Sequence, residues 1–138
     1  MTALLLDTHI WLWYAEGVSE CLSGASVRRI DAARENEGLC ISAISVWEVG
    51  MLAAKGKVHL SAPLLDWVER ALSPRGVSLI PLDEKVAVES ALLPGNLQAD
   101  PADRLLISVA RVQNLTLGTR DRAMVRYAKA GHARVLQL

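Results

Sequence analysis

A chain of 138 residues is the length of one ordinary domain and is long enough to bury a real core. Its 51% hydrophobic and 22% charged residues are globular values, and its net charge of zero says little until the chain is divided. No uncharged apolar stretch reaches the ~18–20 residues of a membrane span, which excludes a transmembrane helix.

The opening "MTALLLDTHIWLW" has no positive leader and is broken by Asp7, so it reads as structure and not as a signal peptide. Within it, "ALLL" (3–6) predicts a short buried strand, and "HIWLWYAEG" predicts a helix ending at Gly17. "GASVRRIDAARENEG" is an amphipathic helix closed by Gly38. "LCIS" (39–42) is a second strand, followed by the helix "AISVWEVGMLAAKG" and by "APLLDWVERALSP", a helix bounded by prolines. "VSLIPL" (77–82) is a strand, "DEKVAVESALLPG" a helix, and "NLQA" a loop. A helix from Asp100 to about Asn114, the strand "LTLGT", the helix "DRAMVRYAKAG" and a terminal strand "ARVLQL" complete the chain. Strands alternating with helices predict an α/β domain with a largely parallel sheet, continuous over residues 1–138, with no repeat or linker.

The acids fall at one kind of junction. Asp7 ends the first strand, Asp121 opens the last helix after "LTLGT", and Asp103 lies in the first turn of "DPADRLLISVA". In a parallel sheet the carboxyl ends of strands and the amino ends of the following helices share one edge, where such folds bind ligands. Each acid also has a plain structural explanation. Asp is a favoured N-cap, Pro a favoured first helical residue, and an acid suits the positive end of a helix dipole.

Glu48 joins them from "SAISVWEVGML". If Ser42 caps this helix, Glu48 stands in its second turn beside Ile44, Trp47, Met51 and Leu52, and a carboxylate on an apolar face is costly unless paired or metal-bound. If Ser45 is the cap, Glu48 merely closes a capping box. Two carboxylates ~4 Å apart repel by up to ~4 kcal/mol at an effective dielectric near 20. Several of them converging would require a divalent cation, and all-oxygen ligands suit Mg²⁺ or Mn²⁺.

"LLLDTHIWLW", "ISAISVWEVGMLAAKGKV", "DPADRLLISVA" and "LTLGTRDRAM", in this order and spacing, resemble the four motif regions of PIN domains, and in particular the VapC-type toxins of bacterial toxin–antitoxin pairs. The resemblance covers nearly the whole chain. It implies a three-layer α/β/α fold and a metal-dependent endoribonuclease. Carried over by position, Asp7, Glu48 and Asp103 correspond to the three main acids and Asp121 to a more variable fourth. Asp7 and Asp103 would hold Mg²⁺ (or Mn²⁺) directly, with Glu48 and Asp121 binding directly or through water. A metal-activated water would attack the scissile phosphate in line and leave 5′-phosphate and 3′-hydroxyl ends. Thr8 and Thr119 match polar neighbours of the site, Arg104 and Arg120 would steady RNA phosphates, with an ion pair to a neighbouring acid an equal alternative for Arg104, and Asp100 is favoured as a cap. The resemblance further implies a structured RNA substrate (tRNA or ribosomal RNA), a cognate antitoxin protein, a homodimer and a cytoplasmic location.

Other signals are weaker. Residues 101–138 carry a net +5 and residues 1–100 a net −5, so the arginine-rich end is either a phosphate-binding flank or a solvated face. "GMLAAKGK" misses a phosphate loop in spacing and places Val58 where Ser or Thr is needed. His9, His59 and His132 are candidates for metal-free RNA cleavage through the 2′-hydroxyl, but each is expected on the surface or in a packing role. Trp11, Trp13, Trp47 and Trp67 are expected in the core, with one ring near Trp13 and Tyr14 left to accept a partner helix. Cys21 and Cys40 have no metal-finger spacing and read as reduced thiols. Two readings compete with the enzyme: a non-catalytic PIN module that binds RNA or protein, and a phosphotransfer domain using Asp7 as acceptor.

Overall fold

A computed structural model describes residues 2–138. In chain order the elements are β1 (Leu4–Leu6), α1 (Thr8–Glu16), α2 (Gly24–Glu35), β2 (Leu39–Ser42), α3 (Ala43–Ala54) and α4 (Leu64–Leu72). Then follow β3 (Val77–Ile80), α5 (Glu84–Ala91), α6 (Pro101–Val112), β4 (Thr116–Thr119), α7 (Arg122–Lys129) and β5 (Val135–Gln137). Among the described residues the sheet has the order β3-β2-β1-β4-β5, and every pairing is parallel.

The alternation of side chains along β1 explains the layers. Leu5 points to one face with its register partners Cys40 and Leu117, and packs there with Leu106, Ile107 and Met124 of α6 and α7. Leu4 and Leu6 point to the other face and pack with Ile10, Trp11, Ile30 and Trp67 of α1, α2 and α4. A parallel sheet covered on both faces needs continuous apolar strands, and β1 and β2 are buried throughout. The result is the three-layer α/β/α architecture expected from the motifs.

Several element ends differ from the sequence expectation. Helix α2 stops at Glu35, short of Gly38, because Glu37 takes the left-handed turn (φ 58°) and Gly38 N–H donates to Ala33. Strand β3 stops at Ile80, since Pro81 has no N–H to extend the ladder. Gly17 ends α1 as read, in the left-handed region at φ 66°.

Trp47 is the clearest correction: it is 57% exposed, not in the core. Ser42, not Ser45, caps α3 by accepting from Ile44 N–H at 3.1 Å. That choice sets the helix phase. At ~100° per residue, Ile44, Ser45, Glu48 and Val49 share one side of the helix, and Trp47 lies ~130° from the centre of that side, where it is exposed. Trp11 and Trp67 are core residues as expected, in edge contact at 5.1 Å between ring centroids. No helix among the described residues is long and apolar enough to cross a membrane.

Candidate active site

The carboxyl ends of β1, β2 and β4 lie side by side, so Asp7, Ser42 and Thr119 come to one edge. Asp7 follows β1 directly, and its N–H donates to Gly118 of β4 at 2.9 Å. Its carboxylate is held at both oxygens: Oδ1 accepts from Thr8 N–H at 2.7 Å, and Oδ2 accepts from Thr119 Oγ1 at 2.6 Å. Thr119 is fully buried, and its hydroxyl also accepts from Asp121 N–H at 3.0 Å. Asp121 in turn caps α7 by accepting from Met124 N–H at 3.0 Å.

A second hydroxyl pair orients Glu48. Thr8 Oγ1 donates to Glu48 Oε1 at 2.5 Å and lies 2.9 Å from Ser45 Oγ. A hydroxyl has one proton to give. Thr8 gives its proton to the carboxylate, so Ser45, which is fully buried, must be the donor to Thr8. From sequence alone Ser45 is only a possible cap. Its usable signal was its place one helical turn before Glu48, on the same face.

Asp100 caps α6, accepting from Asp103 N–H at 2.8 Å, as expected. Asp103 itself is not a capping side chain. Burial first, then the charges of Asp100, Asp7, Asp121 and Glu48, push its carboxyl up to about 7, with nothing pulling it down. Glu48 is raised by burial, against the hydrogen bond from Thr8, with Asp100 and Asp7 adding repulsion. Asp7 is raised by burial against the bonds from Thr119 and Thr8, with Asp121 adding repulsion and His9 opposing it. The sequence-derived acids therefore share one electrostatic field.

The donor chemistry fits a hard divalent cation: carboxylate oxygens held close enough to raise one another's affinity for positive charge. Even so, no group of three or more His, Cys, Asp or Glu that could hold a metal ion is assembled among the described residues. The acids would have to draw in around a cation.

The cations do less than their number suggests. Arg104 is engaged within the chain: its guanidinium donates to the carbonyls of Ser90, at 2.8 and 3.2 Å, and Leu97, at 3.4 Å. Arg111 pairs with Glu89 at 2.8 Å and donates to the carbonyl of His132, and Arg134 donates to Asn114. Arg120 is exposed, lies over the Trp13 ring at 4.9 Å and donates to the carbonyl of Cys21. Arg122, Arg126 and Lys129 of α7 are the exposed remainder of the basic end. His9 and His59 are exposed, and His132 packs its ring on Tyr127 at 4.8 Å. Cys21 and Cys40 are free.

The PIN domain family model matches residues 4–130. The chain is 34% identical over 125 residues to Ribonuclease VapC22 of Mycobacterium tuberculosis, covering 90% of this chain and 91% of that protein. Among solved structures it resembles DNA-bound VapBC from Salmonella typhimurium, at TM-score 0.72 and 18% identity over 99% of this chain and 98% of that one. It also resembles VapBC-5 of Mycobacterium tuberculosis, a member of the VapBC family of toxin–antitoxin systems, at TM-score 0.62 and 16% identity over the whole of both chains.

Proposed function

Because the chain belongs to the PIN domain family, we propose that it is a metal-dependent endoribonuclease and the toxin of a toxin–antitoxin pair. The observation that carries this is the convergence of Asp7, Glu48, Asp103 and Asp121 at one sheet edge, where burial first and then the neighbouring charges lift Asp103 to about 7. Such repulsion is hard to account for as helix capping, because Asp103 caps nothing.

Asp7 and Asp103 would hold the ion directly, and Glu48 and Asp121 directly or through water. Mg²⁺ or Mn²⁺, when bound, polarises the scissile phosphate and lowers the pKa of a coordinated water. Thr119 and the Thr8 N–H keep the Asp7 carboxylate fixed, and the Ser45–Thr8 chain keeps Glu48 turned into the site. Half-burial of Asp103 limits competing water around the charge. Residues 1–138 act as one domain in this reading.

The substrate is structured RNA, tRNA or ribosomal RNA, cut where a loop leaves it single-stranded. The likeness to a named ribonuclease supports the activity. The likeness to a solved member of the VapBC family of toxin–antitoxin systems supports an antitoxin partner, and a homodimer would cover apolar side chains left exposed, such as Trp47, Met51 and Leu65. Both proteins would act in the cytoplasm.

The test is cleavage of total tRNA and ribosomal RNA by purified protein with Mg²⁺, with Mn²⁺ and with chelator. Cleavage only with metal, 5′-phosphate products, and loss in Asp7→Asn and Asp103→Asn are the expected results. Cyclic-phosphate ends with full activity in chelator would instead indicate histidine-driven attack by the 2′-hydroxyl. RNA binding without cleavage would favour a non-catalytic module.

A further inference from the structure

We propose that Trp13, Arg120 and His9 form a shelf on which one unpaired base of the RNA stacks beside the scissile phosphate. The inference rests on the ribonuclease reading and deepens it: Arg120 serves the substrate through its flat face, not as a phosphate clamp.

The placement of Arg120 is the reason. It lies in sequence between Thr119 and Asp121, both part of the acid network. Attraction to Asp7, Asp103 and Asp121 should draw a neighbouring guanidinium inward and neutralise them. It is held elsewhere. The side chain reaches the α1–α2 loop, donates to the Cys21 carbonyl and lies over the Trp13 ring, 4.9 Å from its centroid. No ion pair joins it to any acid among the described residues. The carbonyl and the ring together hold this cation away from the acids, so that it does not cancel their charge.

Trp13 and His9 lie one turn apart on α1, with ring centroids 5.7 Å from each other. His9 is exposed and follows Thr8, whose N–H bonds Asp7 and whose hydroxyl bonds Glu48, so this helix end borders the acids. Trp13 is half-buried and Arg120 exposed, which leaves planar surface open to solvent beside the site. Guanidinium and aromatic planes of this kind receive splayed-out bases of any identity, with the cation adding attraction. A base within a duplex has no free face to offer. The shelf therefore selects single-stranded loops and sets which phosphate reaches the acids.

The experiment separates a plane from a point charge, since Lys keeps the charge of Arg but not its flat face. Steady-state cleavage is measured for wild type, Arg120→Lys, Trp13→Leu and Trp13→Phe, with Mn²⁺ affinity of each variant by calorimetry. In parallel, RNA hairpins carrying a single 2-aminopurine at successive loop positions are titrated with Asp103→Asn, alone and combined with Trp13→Leu or Arg120→Lys. The expected result is a KM raised about tenfold by Arg120→Lys and by Trp13→Leu, near wild type in Trp13→Phe, with Mn²⁺ affinity unchanged. Quenching should appear at one loop position and be lost in both combined variants. Wild-type KM and quenching in Arg120→Lys would overturn the shelf in favour of a phosphate contact, and unaltered quenching in Trp13→Leu would overturn it outright. Trp13→Phe keeps the inference testable if Trp13→Leu does not fold. If wild type cuts no RNA, the ribonuclease reading falls. The quenching measurement, which needs only binding, then still decides the shelf.

Discussion

Thr119 Oγ1 donates to Asp7 Oδ2 at 2.6 Å, joining residues 112 positions apart. The same hydroxyl accepts from Asp121 N–H, so one buried side chain spaces two of the acids. Thr119→Val keeps the shape and removes the hydroxyl, leaving Asp7 Oδ2 short of a donor at a cost of ~1–3 kcal/mol. RNA cleavage is expected to fall by at least about tenfold, and Thr119→Ser to retain most of it. This hydrogen bond lowers the pKa of Asp7, so its loss raises that pKa further. The acid limb of the pH–rate profile should then move to higher pH in Thr119→Val and stay in place in Thr119→Ser. An unmoved limb in both variants would remove Thr119 from this role.

The charge of Asp103 makes stability depend on pH. Its folded carboxyl titrates at about 7, well above its ordinary value of 3.8, so the folded state holds the proton more tightly than the unfolded state. The associated stability is fully present below the unfolded value and is lost as pH rises through about 7. Metal-free wild type should therefore unfold more easily at pH 8 than at pH 5. Asp103→Asn removes the penalty and should be more stable at pH 8, by about 1 kcal/mol once solvent screening of a partly exposed group is allowed for. Mg²⁺ at a hundredfold excess over its Kd should add about 2.7 kcal/mol to wild type and much less to the variant. Urea unfolding at both pH values, with chelator and with Mg²⁺, checks both parts. A variant less stable than wild type at pH 8 in chelator would return Asp103 to the role of a helix-end charge.

Asp100 is expected to behave differently. It caps α6 through Asp103 N–H, so Asp100→Ala should destabilise by ~1 kcal/mol and Asp100→Asn by little. Asp100 also raises the pKa of Asp103, so Asp100→Asn should bring the pH-dependent loss of stability to lower pH. Cleavage should survive this substitution. Its loss, at unchanged stability, would place Asp100 among the metal ligands.

Arg104 is expected to fail as a phosphate contact. Arg104→Ala removes the donors to Ser90 and Leu97 and should cost ~1–3 kcal/mol in thermal or urea unfolding. The KM for RNA should change little under conditions where the variant is folded. A raised KM with unchanged stability would reverse this assignment.

The elements of this fold were legible because their signals are local: Asp7, Asp100 and Asp121 stand at helix starts and do cap helices. What the sequence left open was phase and partner. Ser42 and Ser45 were equal candidates as the cap of α3, and only the structure decides between them. That decision placed Glu48 against Thr8 and turned Trp47 outward. The hydrogen bonds of Arg104 to the carbonyls of Ser90 at the end of α5 and of Leu97 in the following loop, and of Ser45 to Thr8, depend on long-range packing that no spacing rule encodes. Composition counted the charges of the C-terminal third correctly. It could not tell that Arg104, Arg111 and Arg134 spend theirs on the chain's own carbonyls and side chains.

The strand order has a consequence in time. β1 is made first and lies in the middle of the sheet, but one of its two neighbours, β4, comes from residues 116–119. A chain emerging from the ribosome can pair β1 with β2, and long-range parallel pairing of β4 must wait until residues 116–119 have appeared. Until then Asp7 lacks the Thr119 hydroxyl and Asp121 is absent. A shortened or stalled nascent chain therefore carries most of the acids without an organised site. An organised acid site would then arrive only after residues 116–121 have been made and β4 has joined the sheet.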